Sequence, residues 1–560
     1  MSEDKKKGLG RRDFLKAAAT TPVVGAFAYS ARSKEKHDKA ARRRILDQAE
    51  VTAGEHPVLN RKKKKLKFGP GANSAINVGF IGIGDRGKSM MRNCALVPPG
   101  ESPPEGLQPL NVRCTAVCDL FKPNVEWAVK ASGGTAKVYS SYQELLASSD
   151  VDAVVVATTD QWHAPVATAA ARAGKHVYVE KCMTYDIAEA FELRQAVREN
   201  GVVLQLGHQN RNSSHYDTAM EVISKGMLGH VSLIHCYSNR NSNNGAWFRG
   251  IPADHGPMNS SAGARNVDWE QYLSNREMRP YDPNRFFNWQ CFREYSTGLP
   301  GQLASHAMDI ICMVMQLGIP ATAVASAGIY YYKDFTYHVT ADGKLLGTDE
   351  PLPPGAVPRP DVPLLKREVP DMFHVTYEWP DKGLTVIYNA TLSNAFSRGQ
   401  IYLGDEASMD LTNGVDIFAD RSSKRYAEML KSGEVRPDEP MISYQDVAGK
   451  GMEAVTSATS QWAISRGLVY TYRDGKRVST ANMHLKNWMD HIRASDTDTL
   501  CNMDDGFIES VTIHMANLSY QKGCRVRWDD KEEKLYCDSV QGEKVLAARG
   551  ADLIKGSSAG

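Results

Sequence analysis

The sequence predicts an α/β protein in two parts: an N-terminal doubly wound parallel sheet and a C-terminal α+β domain containing antiparallel strands. Three observations carry this. Between 76 and 206, runs such as VGFI, AVVV and HVYV are apolar or aromatic throughout rather than at every second residue, and they alternate with helical segments. Strands covered by helices on both faces read this way. From about 373 onward, FHVTYEW and LTVIYNA instead alternate apolar with polar residues, as antiparallel strands with one face on a core do. Finally, 560 residues exceed what a single core serves, so two large domains plus tails are expected.

An apolar content of 42% and a charged content of 24% are ordinary for a globular chain, and a net charge of +2 gives no reason to expect a nucleic-acid partner. Arg11 and Arg12, in RRDFLK, follow a lysine-rich start and precede a short apolar run over 17–28 that is too brief to span a bilayer. This is the form of a twin-arginine export signal, 1–28, with Ala26 and Ala28 as the small residues of a cleavage site. The expected partner is the twin-arginine export machinery. The expected location is the periplasm or another exported site, with transient inner-membrane association through the uncleaved signal. Residues 29–73, with Arg42-Arg43-Arg44 and Arg61-Lys62-Lys63-Lys64-Lys65, read as a solvated basic arm. Ten cysteines are too sparse for a disulfide scaffold; Cys114 and Cys118 share a strand face and read as core. With no CxxC or HExxH, no metal site is expected.

The first domain is expected over 74–211. Its first strand, 76–81, runs into Gly82-Ile83-Gly84-Asp85-Arg86-Gly87, a GxGxxG spacing at a strand-to-helix turn. The first glycine allows the tight turn, the second lets backbone approach a pyrophosphate, and the third lets the helix pack on its strand. Phosphates would then sit at the helix N-terminus, where free N–H groups and the macrodipole favour negative charge. A helix over 86–96 and a Pro-rich surface insertion over 98–109 follow. The second strand, 112–118, ends at Asp119, about twenty residues beyond the glycines once the insertion is set aside. A carboxylate there bonds the adenosine ribose and repels a 2′-phosphate, so NAD is expected over NADP. Helices over 123–132, 142–147, 164–173 and 186–200, with strands over 153–157, 176–179 and 202–206, complete the parallel pattern.

GHQNR (207–211) closes the first domain, and a helix over 216–224 opens the second, 212–535. Between 245 and 301 the chain is rich in Trp, Asn, Arg and Pro. That composition suits a pocket wall for a polyhydroxylated ligand, or an irregular packed insertion. A helix over 304–317, a Pro-rich loop over 352–363, strands over 373–379, 384–390 and 400–403, and amphipathic helices over 484–493 and 507–518 come next. Residues 536–560 read as a tail.

In order along the chain, IGIGDRG, the strand end at Asp119, TTDQWH (158–163), VEK (179–181), GHQNR and GQLASHAMD (301–309) resemble the motifs of the Gfo/Idh/MocA oxidoreductases over about 76–530. The resemblance implies an NAD-binding Rossmann domain and a second domain whose largely antiparallel open sheet often makes a subunit contact, hence a homo-oligomer. It implies that Gly82, Gly84, Asp85, Arg86, Gly87, Asp119, Thr158, His163, Glu180, Lys181 and Gln209 hold the cofactor. Lys181, Arg211, Gln302 and His306 would meet a small sugar or glycoside substrate. Lys181 matches the lysine of the family's Glu-Lys-Pro motif, where an ammonium bonds the reacting hydroxyl and stabilises developing oxyanion charge. His306 matches the family's catalytic histidine, which with an ordinary pKa near 6.5 can take the hydroxyl proton. Asp309, one helical turn on, is placed to orient it. Two positions depart from the pattern. The motif proline is Cys182, and the aspartate that many relatives carry four residues before the histidine is Gln302, which cannot accept a proton but can bond a sugar hydroxyl.

Export adds a constraint, because no replenished nicotinamide pool exists outside the cytoplasm. The cofactor must leave with the folded protein and be regenerated in place. The expectation is an NAD-dependent oxidoreductase acting on a secondary hydroxyl of a sugar, glycoside or cyclitol, with tightly bound, internally recycled cofactor. One alternative is an NAD-dependent glycoside hydrolase or lyase working through a transient 3-keto sugar; another is a non-catalytic sugar-binding protein.

Overall fold

The computed structural model describes residues 56–69, 74–242, 245–251, 266–335, 337–339, 345–347, 357–358, 365–412, 414–444, 471–473, 476–539 and 542–547. The expected export signal at 1–28, the Arg42-Arg43-Arg44 run, most of the loop at 352–363 and the last residues of the tail lie outside them.

A short helix, α1 (Pro57–Lys63), precedes the first domain, whose six parallel strands are β1 (Ile76–Ile81), β2 (Val112–Cys118), β3 (Lys137–Val138), β4 (Ala153–Val156), β5 (His176–Val179) and β6 (Leu204–Leu206). Their order is β3-β2-β1-β4-β5-β6, the doubly wound arrangement whose ligand crevice opens at the carboxyl ends of β1 and β4. The helices between them are α2 (Asp85–Asn93), α3 (Lys122–Ala131), α4 (Tyr142–Leu146), α5 (Asp160–Arg172) and α6 (Ile187–Asn200). α5 starts a full turn before the expected helix, at Asp160, and carries Pro165 inside it. α6 is capped at one end by Asp186, whose side chain accepts from the Glu189 N–H, and closed at the other by left-handed Gly201.

The second domain contains α7 (Ser214–Ser224), β7 (Val231–Asn241), α8 (Ser305–Met315) and β8 (Thr322–Gly328), then β9 (Met372–Trp379), β10 (Leu384–Thr391), β11 (Ser393–Gly404), β12 (Ala407–Asp410), β13 (Val415–Ala419) and β14 (Ile442–Tyr444). After α9 (Thr480–Ala494) and α10 (Met503–Lys522) come β15 (Arg525–Asp529), β16 (Lys534–Ser539) and β17 (Gly542–Ala547). These strands form one mixed, largely antiparallel sheet in the order β14-β13-β12-β11-β7-β10-β9-β8-β15-β16-β17, in which β7 and β10 run parallel. The side chains of β9 and β10 alternate strictly between buried and half-buried, so the sheet has one covered and one open face.

The structure departs from the sequence reading at four places. A bulge in β2 pairs Val78 with Cys114 but Gly79 with Ala116, so Thr115 is an extra residue and the side-chain alternation flips. Cys114 and Cys118 therefore pack on opposite faces of the sheet, not one. The second departure is α9, which was assigned to the second domain: its Leu485, Trp488 and Met489 pack on Val78, Phe80, Val155 and Tyr178, so the chain returns to cover one face of the first sheet. Third, the sheet continues through β16 and β17, past the expected boundary at 535, and Cys524 is disulfide-bonded to Cys537 across the β15–β16 hairpin.

The fourth is the basic arm. Its described part is docked in part rather than solvated throughout: Arg61 pairs with Asp505 at 2.7 Å and Asp498 at 3.1 Å, Lys64 pairs with Asp496 at 2.7 Å, and Lys62 binds Asp217 and the Arg211 carbonyl, while Lys63, Lys65 and Lys67 are exposed. His56 is buried, its Nε2 3.1 Å from the Val314 carbonyl at the end of α8. A basic run looks solvated in sequence, but carboxylates that lie far along the chain neutralise this one. No helix among the described residues is long and apolar enough to cross a membrane.

Candidate functional site

The glycine loop joins β1 to α2. Gly82 has φ +82°, and a Cβ there would lie 2.6 Å from the Ala157 carbonyl oxygen. A Cβ on Gly87 would sit 2.2 Å from the Gly82 carbonyl oxygen, so only glycine lets α2 pack this close to the loop. Gly84 differs from both, because a Cβ on it would meet no protein atom within 4 Å. It borders a cleft of about 400 Å³ that is also lined by Gly82, Asp85, Arg86, Asp119 and Thr158. A helix N-terminus, a bare glycine facing open space and a carboxylate at the neighbouring strand end together fit a dinucleotide.

Asp119 accepts from the Phe121 N–H at 2.7 Å and Asn124 Nδ2 at 3.2 Å, and from the Ile83 N–H. It thereby fixes the glycine loop, and a carboxylate with about four lone-pair sites still has acceptor capacity for a hydroxyl. Burial raises its pKa, opposed by these bonds and by Lys88. Arg86 lines the cleft and reaches behind it, donating to Glu180 Oε1 and to Gln209 Oε1, each at 2.7 Å. Glu180 and Gln209 were expected at the cofactor, and they act on the cleft through Arg86. His163, also expected there, is buried as a strut, with Nδ1 2.6 Å from the Cys182 carbonyl and Nε2 3.2 Å from the Thr158 carbonyl.

The aromatic segment 245–301, where described, walls the same cleft. Arg249, Tyr272, Phe286, Phe287 and Trp289 line it opposite the glycine loop, whereas Trp247 and Tyr295 are fully buried. The segment is tied to the loop after Asp119 by backbone bonds from Lys122 N–H to the Asn266 carbonyl and from Asp268 N–H to the Leu120 carbonyl. The wall expected for a sugar is thus a packed insertion that covers the dinucleotide cleft.

Lys181 leaves the end of β5, and the Lys181–Cys182 peptide is cis. Its Nζ donates to Gln302 Oε1 at 3.1 Å, while Gln302 Nε2 donates to both Asp160 oxygens, at 2.8 and 2.7 Å. A carboxylate only accepts and an ammonium only donates, so the amide orientation follows from its partners. Gln302 sits in a wide i→i+5 turn, Pro300–Ala304, that leads into α8. Gly301 lies beside it where a Cβ would be 1.9 Å from Thr297 Oγ1. Gln290 donates to the same Oε1 at 2.8 Å, so both ends of the Gln302 amide are taken. Gln302 was expected to bond a sugar hydroxyl; instead it couples Lys181 to a buried carboxylate. Asp160, in the first turn of α5, also accepts from the Thr297 hydroxyl at 2.6 Å and amide at 2.8 Å. In sequence it lies within TTDQWH, and its one local signal is a carboxylate in the first helical turn after a buried strand.

His306, on the first turn of α8, is buried, and neither ring nitrogen has a hydrogen-bond partner among the described residues. Burial, then the nearby Lys181 ammonium, holds its pKa well below the ordinary value, so it rests neutral. Asp309 does not orient it. Both Asp309 oxygens accept from Arg211, Oδ1 lying 2.7 Å from Nη2 and 2.9 Å from Nε. Arg211 in turn meets Asp505 at 3.0 Å and the Leu500 carbonyl at 2.7 Å, so this buried guanidinium, expected at the substrate, ties α8 to α10. Two further buried groups escaped the sequence reading, His208 of GHQNR and Glu509, a single charge in an apolar stretch of α10. No cluster of three His, Cys, Asp or Glu side chains able to hold a metal occurs among the described residues.

Residues 76–208 match the model of the Gfo/Idh/MocA oxidoreductase family, NAD-binding Rossmann fold. The first domain is therefore an NAD-binding Rossmann domain similar to those of that family. Inositol 2-dehydrogenase of Salmonella typhimurium is 28% identical over 161 residues, 29% of this chain and 45% of that protein. 1,5-Anhydro-D-fructose reductase of Ensifer adhaerens is 39% identical over 102 residues, 18% of this chain and 31% of that one. Glycosyl hydrolase family 109 protein 2 of a Shewanella species is 32% identical over 194 residues, 33% of this chain and 36% of its own. The matched segments thus span less than half the length of these curated relatives. Among solved structures, levoglucosan dehydrogenase in complex with NADH and L-sorbose superposes with a TM-score of 0.53 at 14% identity, covering 81% of this chain and 99% of that one. The WlbA dehydrogenase from Bordetella pertussis in complex with NADH and UDP-GlcNAcA gives 0.51 at 16% identity, covering 81% and 98%. At such identities the likeness is one of fold, and it extends beyond the first domain.

Proposed function

We infer that this protein is an NAD-dependent oxidoreductase acting on a secondary hydroxyl of a sugar, glycoside or cyclitol, with resident cofactor that is recycled in place. The observation that carries the reading is the pair formed by half-buried Lys181, held by Gln302, which Asp160 holds in turn, and buried His306, neutral and with both nitrogens unengaged among the described residues. A primary ammonium has three donors, and Lys181 directs two of them to Gln302 atoms, at 3.1 and 3.5 Å. The third bonds the reacting hydroxyl and stabilises negative charge on its oxygen as the C–H bond breaks. His306 Nε2 or Nδ1 takes the hydroxyl proton. NAD, when bound, supplies the hydride acceptor. The sugar dehydrogenase and inositol dehydrogenase relatives support the substrate class.

Residence of the cofactor is supported by the insertion at 245–301, whose aromatic side chains cover the cleft from the second domain. Export is supported by Arg11-Arg12 and by the Cys524–Cys537 disulfide, since such bonds persist in oxidising compartments. A homo-oligomer is supported by exposed aromatics on the second domain, Tyr330, Tyr331 and Phe396.

The glycoside hydrolase alternative, working through a transient 3-keto sugar, is favoured by one observation, the Shewanella relative. One experiment separates the readings: purified protein is incubated with a panel of glycosides, and keto-sugar formation and aglycone release are both followed. Keto sugar that accumulates with a second carbonyl compound present supports net oxidation. Aglycone release with no net change in cofactor oxidation state supports the hydrolase. Neither product from any glycoside leaves sugar binding without catalysis.

A further inference from the structure

One buried acid stands next to this chemistry without a part in it. Glu509 of α10 is 3% exposed, and neither carboxyl oxygen has a hydrogen-bond partner of normal geometry among the described residues. Its Oε1 is 3.9 Å from His208 Nε2, and the His208 ring meets that of His306 edge-on with centroids 5.4 Å apart. The other nitrogen of His208, Nδ1, is 3.9 Å from Asp309 Oδ2. His208 thus lies between His306 and Glu509. Behind Glu509 is a cavity of about 160 Å³, also lined by Asp309, Arg211 and Asp505 and capped by Pro57 and Val58 of α1. A gap of 3.9 Å closes by a small rotation of the imidazole or through one water.

We propose that Glu509 stores the substrate's proton, receiving it from His306 through His208 and returning it by the same route; the proposal rests on the oxidoreductase reading above. When the hydroxyl is oxidised, the C–H electron pair leaves with its hydrogen as hydride to the nicotinamide. The O–H bond breaks, and its proton moves to His306, then His208, then the Glu509 carboxylate, which becomes a carboxylic acid. Reduction of the keto group runs backwards, the new O–H being formed with the stored proton. Hydride stays with the cofactor while the proton stays with the protein, so a full cycle of oxidation and re-reduction balances without solvent.

The proton affinities are ordered for this. Burial lowers both imidazoles, His306 further through Lys181, so neither keeps the proton. Burial, then Asp309, pushes Glu509 up to about 8; Asp160 adds to the rise and Lys181 opposes it. The other titratable neighbours, Cys182, Cys312, Cys501 and Tyr377, are all raised by burial and stay neutral. Glu509 therefore exchanges a proton near neutral to mildly alkaline pH, where a reversible store is useful.

The test uses the full chain as wild type, Glu509→Gln and Glu509→Asp. Infrared spectra without substrate are expected to show protonated-carboxyl absorption that disappears as pH rises through about 8, from Glu509 and from Glu189, which burial also pushes up to about 8, and the Glu509 part is expected to be missing from Glu509→Gln. With a glycoside that wild type oxidises, oxidation is expected to rise and keto-sugar reduction to fall through the same pH. Glu509→Gln is expected to lose both limbs and about tenfold to a hundredfold of rate, and Glu509→Asp to regain part of them. The relay is overturned by a Gln variant that keeps the wild-type pH profile, or by the absence of any wild-type carboxyl band titrating near 8. Where Glu509→Gln does not fold, the difference spectrum between wild type and Glu509→Asp assigns the band, since the Glu189 contribution is common to both. A wild type that turns over no glycoside in either direction overturns the oxidoreductase reading itself, a result distinct from failure of the relay alone.

Discussion

Replacing Gln302 by glutamate exchanges one NH2 for an oxygen where the structure has a donor facing two acceptors. Gln302 Nε2 is 2.8 and 2.7 Å from the Asp160 oxygens, and both side chains are buried. Gln302→Glu keeps the acceptor side toward Lys181 and sets a second carboxylate against Asp160. Two carboxylates in one buried site do not both ionise, so one holds a proton and titrates well above its ordinary value. A displacement of about two units, at ~1.4 kcal/mol each, amounts to about 3 kcal/mol. The displaced acid is protonated in the folded state and ionised in the unfolded state between its ordinary value, ~4.3, and the raised one. Stability of the variant therefore falls as pH rises through that window and is close to that of wild type below it. Urea unfolding of wild type, Gln302→Glu and Gln302→Leu across this range is the assay. Gln302→Glu is expected to unfold near the wild-type midpoint at about pH 4 and to be about 3 kcal/mol less stable at about pH 8. Gln302→Leu leaves Asp160 and Lys181 short of a partner at every pH and is expected to lose about 2–3 kcal/mol throughout. A Gln302→Glu variant as stable as wild type at the alkaline end refutes the coupling of Gln302 to Asp160.

Lys181→Met keeps the buried stem and removes the charge; turnover is expected to fall by about 10²–10³-fold with the unfolding midpoint preserved, and steady-state kinetics with unchanged turnover would remove Lys181 from the mechanism. A Cβ at Gly84 meets no protein atom within 4 Å, so Gly84→Val is expected to fold normally while NAD affinity, followed by calorimetry, drops at least about tenfold; undiminished affinity would show that the cofactor does not pass over Gly84. Arg61→Ala breaks the pairs to Asp505 and Asp498 and is expected to cost about 1 kcal/mol at low salt and less at high salt. Urea midpoints identical to wild type at both salt concentrations would mean that α1 contributes nothing by docking.

What the sequence disclosed and what it hid divide along a physical line. The glycine loop was legible because its constraints are local: Gly82 and Gly87 are forced by backbone within a few residues or on the adjoining strand. The buried strands of the first sheet and the alternation of β9 and β10 were legible because burial on two faces or one imprints its own period. Lys181 and His306 stood out through their motifs. Gln302 was misread because its partner, Asp160, is 142 positions away, and only the folded chain brings a carboxylate to the amide. Arg211 and Asp309 looked like site residues, yet a guanidinium and a carboxylate buried together satisfy each other first. The basic arm was read as solvated for the same reason, since Asp217, Asp496, Asp498 and Asp505 are distant in sequence. A single extra residue, Thr115, was enough to separate Cys114 from Cys118, because side chains alternate with period two and a bulge resets the count.

The central claim is a resident dinucleotide beneath the second-domain insertion, and the direct measurement is the nucleotide content of the purified protein. Denaturation is predicted to release NAD at close to one per chain, and the emptied protein to regain stability on adding NAD, by about 2.7 kcal/mol at a hundredfold excess over Kd. Release of no nucleotide, together with no stabilisation by saturating NAD, would contradict it.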